Sequence, residues 1–200
     1  MWLTLLTPMA LASDGFAPAR ETSDCRIEMR DESHPEGAAM RATCHWPEHN
    51  AETASALLSD LDRYEELIWP IAESRVERTE DSRQLVFQRQ HIWGMTDRVV
   101  LLWVTVESEA AETTIAWSAA TEEPLTVDKG TIRTPKNSGY WSIAPHVSGS
   151  GVLVVHEIAI QAGGPRLPRW LLNMIRTRGF LSVMKEVREH VGQGSARKSP

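Results

Sequence analysis

The chain has 200 residues, 42% of them hydrophobic and 24% charged, with a formal net charge of -6. These are ordinary values for a folded domain and exclude a disordered, collagenous or multi-span membrane protein; a chain this long builds a substantial core without a metal or a disulfide framework. The negative balance speaks against nucleic acid as a partner, since phosphate recognition needs a basic face.

Met1 to Ser13 carries no charged side chain, and the apolar run Trp2 to Ala12 is too short to span a bilayer. It ends in Ala10-Leu11-Ala12, the small-residue pattern of a signal-peptide cleavage site, although no Lys or Arg precedes it. Residues 1–12 are therefore expected to be an export signal and 13–24 a linker, which puts the protein in the periplasm or outside the cell. The alternative is a frayed N-terminal helix on a cytoplasmic protein. Cys25 and Cys44 lie symmetrically about His34-Pro35, which with the following Glu36-Gly37 reads as a turn. If Arg26 to Arg30 and Ala39 to Thr43 form a hairpin, the cysteines oppose each other and a cross-strand disulfide is possible. Its loop entropy would be worth about 3 kcal/mol. Two buried free thiols are the alternative, and a disulfide would point to the same oxidising compartment as the signal.

Asn50 to Ser59 reads as a helix capped by Asn50, with Ala51, Ala54, Leu57 and Leu58 at helical spacing. A second short helix, Asp60 to Trp69, stops at Pro70. Alternating patterns then predict strands at Ile71 to Thr79, Arg83 to Trp93, Arg98 to Glu107, Thr113 to Ala119, Gly130 to Thr134, Gly139 to Ala144 and Gly151 to Ile160, an antiparallel meander. Pro168 to Val191 repeats apolar residues as an amphipathic helix with Gly179 as its weak point, and Gly192 to Pro200 has the composition of a tail. A single curled sheet has one apolar face to cover, and a helix laid across it does so. If the sheet does not close tightly, a cavity remains between them.

Familiar catalytic signatures are missing. Ser148-Gly149-Ser150-Gly151 has neither the spacing nor the Lys of a phosphate loop, and His156-Glu157 lacks the second His of a zinc-protease motif. Cys44, His45 and His49 are interrupted by Trp46-Pro47, so neither a metal nor a cofactor is expected. Strand parity says more. Thr105 and Glu107 on one face place Arg98, Val100, Leu102, Val104 and Val106 on the inner one. The same reasoning puts Leu85, Phe87, Arg89, His91 and Trp93 inward, because Gln84, Gln88 and Gln90 take the other side. In the last strand His156 points inward with Val152, Val154, Ile158 and Ile160, while Ile115, Trp117, Trp141 and Ile143 complete the lining. Polar groups in such an interior need a partner or water. Arg89, His91, Arg98 and His156 either orient the polar head of an apolar ligand, or lie at strand ends and pair with an acid such as Asp97. Trp117, Trp141 and Trp170 are candidate pocket walls or ordinary core aromatics.

From Trp117 onward the order of features resembles the steroidogenic-acute-regulatory-related lipid-transfer (START) domain, of the helix-grip superfamily that includes polyketide cyclases. The residues that carry the likeness are Glu123-Pro124, Gly130-Thr131-Ile132-Arg133, Gly139-Tyr140-Trp141-Ser142-Ile143-Ala144-Pro145, the strand Val152 to Ile160, and Gly163-Gly164-Pro165-Arg166-Leu167-Pro168-Arg169-Trp170-Leu171-Leu172-Asn173. Upstream it continues through Leu57 to Asp60, Trp69-Pro70 and Trp93-Gly94-Met95-Thr96-Asp97-Arg98, so that it spans 25–191. The chain departs from the family in having Val99 after Arg98 where an Asp is usual, so any buried ion pair must be built differently.

The resemblance implies an α+β helix-grip fold, a curved antiparallel sheet wrapped around a long C-terminal helix, and non-covalent binding or transfer of a lipid or other hydrophobic small molecule by a monomer in transient contact with membranes. It also implies a lid, expected at Thr121 to Lys129, with Pro124, Leu125 and Val127 closing against the C-terminal helix near Trp170 and Met174. The expected ligand-binding set is Arg89, His91, Arg98, Leu102, Trp117, Leu125, Trp141, His156, Trp170 and Met174. The alternatives are an enzyme on the same fold, a cyclase, dehydratase or hydrolase using His91 or His156 as general acid or base, and an interaction module whose cavity is filled by its own side chains.

Overall fold

In the computed structural model the described residues are 14–92, 94–161, 163 and 178–196, with side chains up to 193. Residues 1–12, expected as an export signal, and Trp93, Trp170 and Met174 lie outside them. The turn at 34–37 closes a hairpin of β2 (Cys25–Arg30) and β3 (Ala39–Trp46) in which Cys25 pairs directly with Cys44, and their sulfurs are bonded at 2.05 Å. Residues 16–21, expected as linker, form instead an edge strand, β1 (Phe16–Glu21), along β2. Its Phe16 ring lies under the Arg41 guanidinium, at 3.9 Å, and that of Arg30.

Helix α1 (Ala51–Leu58) begins where the Asn50 side chain accepts a hydrogen bond from Thr53 N at 2.8 Å. The expected second helix is a 3-10 turn at Leu61–Arg63 followed by one helical turn, α2 (Tyr64–Leu67), ending before the cis bond Trp69-Pro70. The strands are β4 (Ile71–Glu80), β5 (Arg83–Gln90), β6 (Arg98–Glu109), β7 (Glu112–Ala119), β8 (Ile132–Arg133), β9 (Lys136–Pro145) and β10 (Val152–Gln161). They form one curved sheet in the order β1-β2-β3-β10-β9-β7-β6-β5-β4, antiparallel throughout. The short β8 departs from the expected meander and pairs parallel with β6 off that path. The edge of β4 is covered by the 3-10 turn, where Asp62 accepts from Val76 N and Ser74 Oγ donates to Leu61 O, both at 2.7 Å.

Helix α3 (Phe180–Ala196) follows a π-helical turn at Arg178 and Gly179, the position expected to be weak, and continues past the expected start of the tail. Its buried residues Phe180, Val183, Met184, Val187 and Val191 keep helical spacing and join one core with α1 and the concave face of the sheet. Arg188, gripped by Asp24 and by Glu48 at 2.6 Å, ties its far end to the segment beside the disulfide.

The convex face is apolar too, at β5 and β6. Leu85, Phe87, Val99, Leu101, Trp103 and Ala120 form a second cluster, covered by Leu125 and Val127 of the loop after β7. Arg133 Nη2 staples that loop by donating to the carbonyls of Ala120 and Glu123 at 3.0 Å and of Thr121 at 3.3 Å.

Candidate functional site

Between the concave face, α2 and the start of α3 lies a cavity of about 730 Å3. Register decides what faces it. Paired residues share a face, so the inward residues of β6, Arg98, Leu102 and Val104, bring with them Gln90, Val86 and Gln84, their partners on β5. Gln88 and Gln90 therefore line the cavity together with Val86. Leu85, Phe87 and Arg89 are on the convex side. The expected parity of β5 is thus reversed, because both faces of that strand are buried and its glutamines, taken for solvent markers, look inward.

Two expected ligand residues leave the site for this reason. Arg89 is bonded to Glu73 at 3.2 Å and to Asp97 at 3.1 Å, and His91, just past the end of β5, is 56% exposed with Nδ1 2.7 Å from Asp97. The expected lid also moves. Leu125 sits over the convex cluster in a separate pocket of about 510 Å3, held there by Arg78 to Glu123 at 2.7 Å and Trp103 Nε1 to Glu122 at 2.9 Å. The loop finds apolar partners on the outside of the sheet, so Leu125 is not a cavity residue.

Arg98, Leu102, Trp117, Trp141 and His156 all line the cavity as expected. Trp117 can lie against the sheet because Gly139 has no side chain: a Cβ there would stand 2.7 Å from Trp117 Cζ2 and 2.1 Å from Glu157 O. Trp117 Nε1 donates to Asn137 Oδ1 at 2.9 Å. His156 stacks on Trp141 at 3.7 Å, with Phe180 of α3 at 5.2 Å and Trp117 at 5.7 Å. Its Nδ1 donates to Tyr140 O at 3.3 Å. Burial among these rings pushes its pKa down to about 3, against a small raising effect of that hydrogen bond, so the imidazole is neutral at physiological pH.

Arg98 is different. It is only 4% exposed, its Nη1 donates to Thr96 O, and its Nε has no partner. Burial lowers its pKa and the nearby Asp97 opposes this, but a guanidinium stays charged. No carboxylate among the described residues is within ion-pair distance of it, since its neighbour Asp97 turns to the other face to serve Arg89 and His91. Gln90 stands directly across from it and Gln88 one position along, and neither glutamine side chain has a hydrogen bond among the described residues. The cavity thus has a polar group at Arg98, Gln88 and Gln90, apolar walls of Leu102, Val104, Ile115 and Trp141, and further polar or charged lining at Arg30, Glu32, Lys136, Asn137 and Gln161. Sequence reasoning missed Gln88, Gln90, Ile92 and Met95 of this lining; pairing β5 against the inward Arg98 would have found the glutamines. Among the described residues no cluster of His, Cys, Asp and Glu could hold a metal ion, and no helix is long and apolar enough to cross a membrane.

No family model matches the chain. The uncharacterized protein PA1579 of Pseudomonas aeruginosa is 30% identical to it over 138 residues, 68% of this chain and 67% of that protein. The chain belongs to the PA1579 family. Its fold is START-like. The STAR-related lipid transfer protein of Xanthomonas axonopodis superposes with a TM-score of 0.74 at 20% identity, over 89% of this chain and 99% of that one. Human STARD10 gives 0.79 at 12% identity, over 94% and 77%. The Zhui aromatase/cyclase from Streptomyces sp. R1128 gives 0.51 at 14% identity, over 80% and 95%, so the same fold also hosts enzymes.

Proposed function

We propose that this PA1579-family protein binds, and carries without chemical change, a lipid or similarly apolar small molecule in its internal cavity. The single observation that carries this reading is a cavity of about 730 Å3 with mainly apolar walls interrupted by a few polar groups, well inside the range of small-molecule sites. Neighbours whose names denote lipid transfer support it. The disulfide is compatible with an oxidising compartment, and we place the protein outside the cytoplasm on that ground.

The aromatase/cyclase neighbour motivates the competing enzyme reading, which needs a base or acid near neutral pH in the cavity. His91 is on the other face, and His156 is held neutral far below that range. Native mass spectrometry of protein purified from its own host, with solvent extraction of what co-purifies, tests the carrier. Stoichiometric lipid in the wild type, lost in an Ile158→Trp variant that fills the cavity, is the expected result. An empty wild type that also fails to bind an environment-sensitive lipophilic fluorophore would refute it.

A further inference from the structure

The unpaired Arg98 says what the polar end of the cargo is. We propose, building on the carrier reading above, that the cargo is a compact single-chain amphiphile whose carboxylate pairs with Arg98 between Gln88 and Gln90.

A buried guanidinium without an anion is strongly disfavoured, and this one has spent a single donor on a backbone carbonyl. The acid that adjoins it in sequence is committed to the far side of the sheet. The missing negative charge is therefore supplied from within the cavity. A carboxylate is planar, carries one charge and accepts two parallel N–H bonds from a guanidinium. The two glutamine amides add donors without adding charge, so this end of the cavity balances one negative charge; of the other cations in the lining, Arg30 is paired with Glu36 and Lys136 donates to the Glu36 carbonyl.

Size sets the rest of the molecule. At roughly 30 Å3 per non-hydrogen atom, a cavity of about 730 Å3 holds about 24 of them. A saturated chain of about 16 carbons ending in a carboxylate has about 18 such atoms and fits, whereas a diacyl phospholipid of roughly 50 does not. Shape agrees. Arg98 and Val104 both line the cavity and stand six residues apart on β6, a run of about 20 Å, the length of such a chain extended. Trp141, His156 and Phe180, stacked together in the lining away from Arg98, carry no charge at neutral pH.

The test titrates delipidated protein with hexadecanoic acid, its methyl ester and monohexadecyl phosphate, read by displacement of a lipophilic fluorophore at neutral pH. The acid should bind about tenfold or more tighter than the ester, and Arg98→Gln should bring the acid down to the level of the ester while leaving the ester unchanged. Should Arg98→Gln not fold, a Gln88→Ala, Gln90→Ala double variant with a reduced acid-to-ester ratio serves the same end. Equal, tight binding of acid and ester by the wild type overturns the carboxylate and leaves the carrier standing. Tighter binding of the phosphate overturns it also. Displacement by none of the three, although the fluorophore itself binds, overturns the single-chain cargo; failure of the fluorophore to bind at all overturns the carrier.

Discussion

His156 supplies one definable part of the acid sensitivity of this protein. In the fold its pKa is pushed down to about 3 by burial, whereas in the unfolded chain it lies near the ordinary 6.5. Between those values the unfolded state holds one more proton than the folded one, so the stability is complete above about pH 6.5 and is lost as the pH falls toward 3. The slope is about 1.4 kcal/mol per pH unit, which amounts to about 2 kcal/mol near pH 5 and a ceiling of about 5 kcal/mol. A His156→Phe variant keeps a ring between Trp141 and Phe180 and removes the titration. Urea denaturation of both proteins near pH 7 and near pH 5 should therefore show a loss about 2 kcal/mol larger in the wild type. His49, which burial also pushes down, and the ion-paired carboxylates titrate in both proteins and cancel in the comparison. Parallel losses in the two proteins would refute the reasoning, because they would mean that the imidazole is not held neutral by the stack.

Three further outcomes are expected. Gly139→Ala places a Cβ 2.1 Å from Glu157 O and 2.7 Å from Trp117 Cζ2, so it should lower the unfolding free energy by about 3 kcal/mol or more; an unchanged Tm would show that β10 and Trp117 do not approach Gly139 as described. Reduction of Cys25–Cys44 should cost about 3 kcal/mol, visible as a drop in Tm with reductant that a Cys25→Ala, Cys44→Ala protein no longer shows. Leu125→Asp should destabilise the convex cluster by about 1 kcal/mol while leaving ligand affinity within about twofold; a large loss of affinity at unchanged stability would restore the lid to that loop.

Much of the fold was legible because most strands have one clear inner face. In β6 and β10 the polar residues mark the outside, and Arg98, Leu102 and His156 fell where expected. The symmetry of Cys25 and Cys44 about a turn gave the disulfide for an equally local reason. β5 defeated the same rule because Leu85 and Phe87 are as buried on the convex side as Val86 is on the concave one, so its alternation has no solvent face to report. The loop at 121–129 misled for a related reason: Leu125 and Val127 need an apolar surface, and sequence does not say which of two surfaces they meet. Residues 16–21 looked like linker because their side chains are mostly exposed, and only backbone pairing with β2 makes them a strand.

That second apolar layer gives the domain cohesion that does not depend on what fills the cavity. The concave face is shared between the cavity and the main core with α1 and α3, and further cohesion comes from outside it: the cluster beneath Leu125 and Val127, the loop pinned by Arg133, the cysteine bridge and the anchorage of Arg188. The architecture is that of a vessel with a doubled wall, in which what fills the hollow bears on only one of two apolar layers.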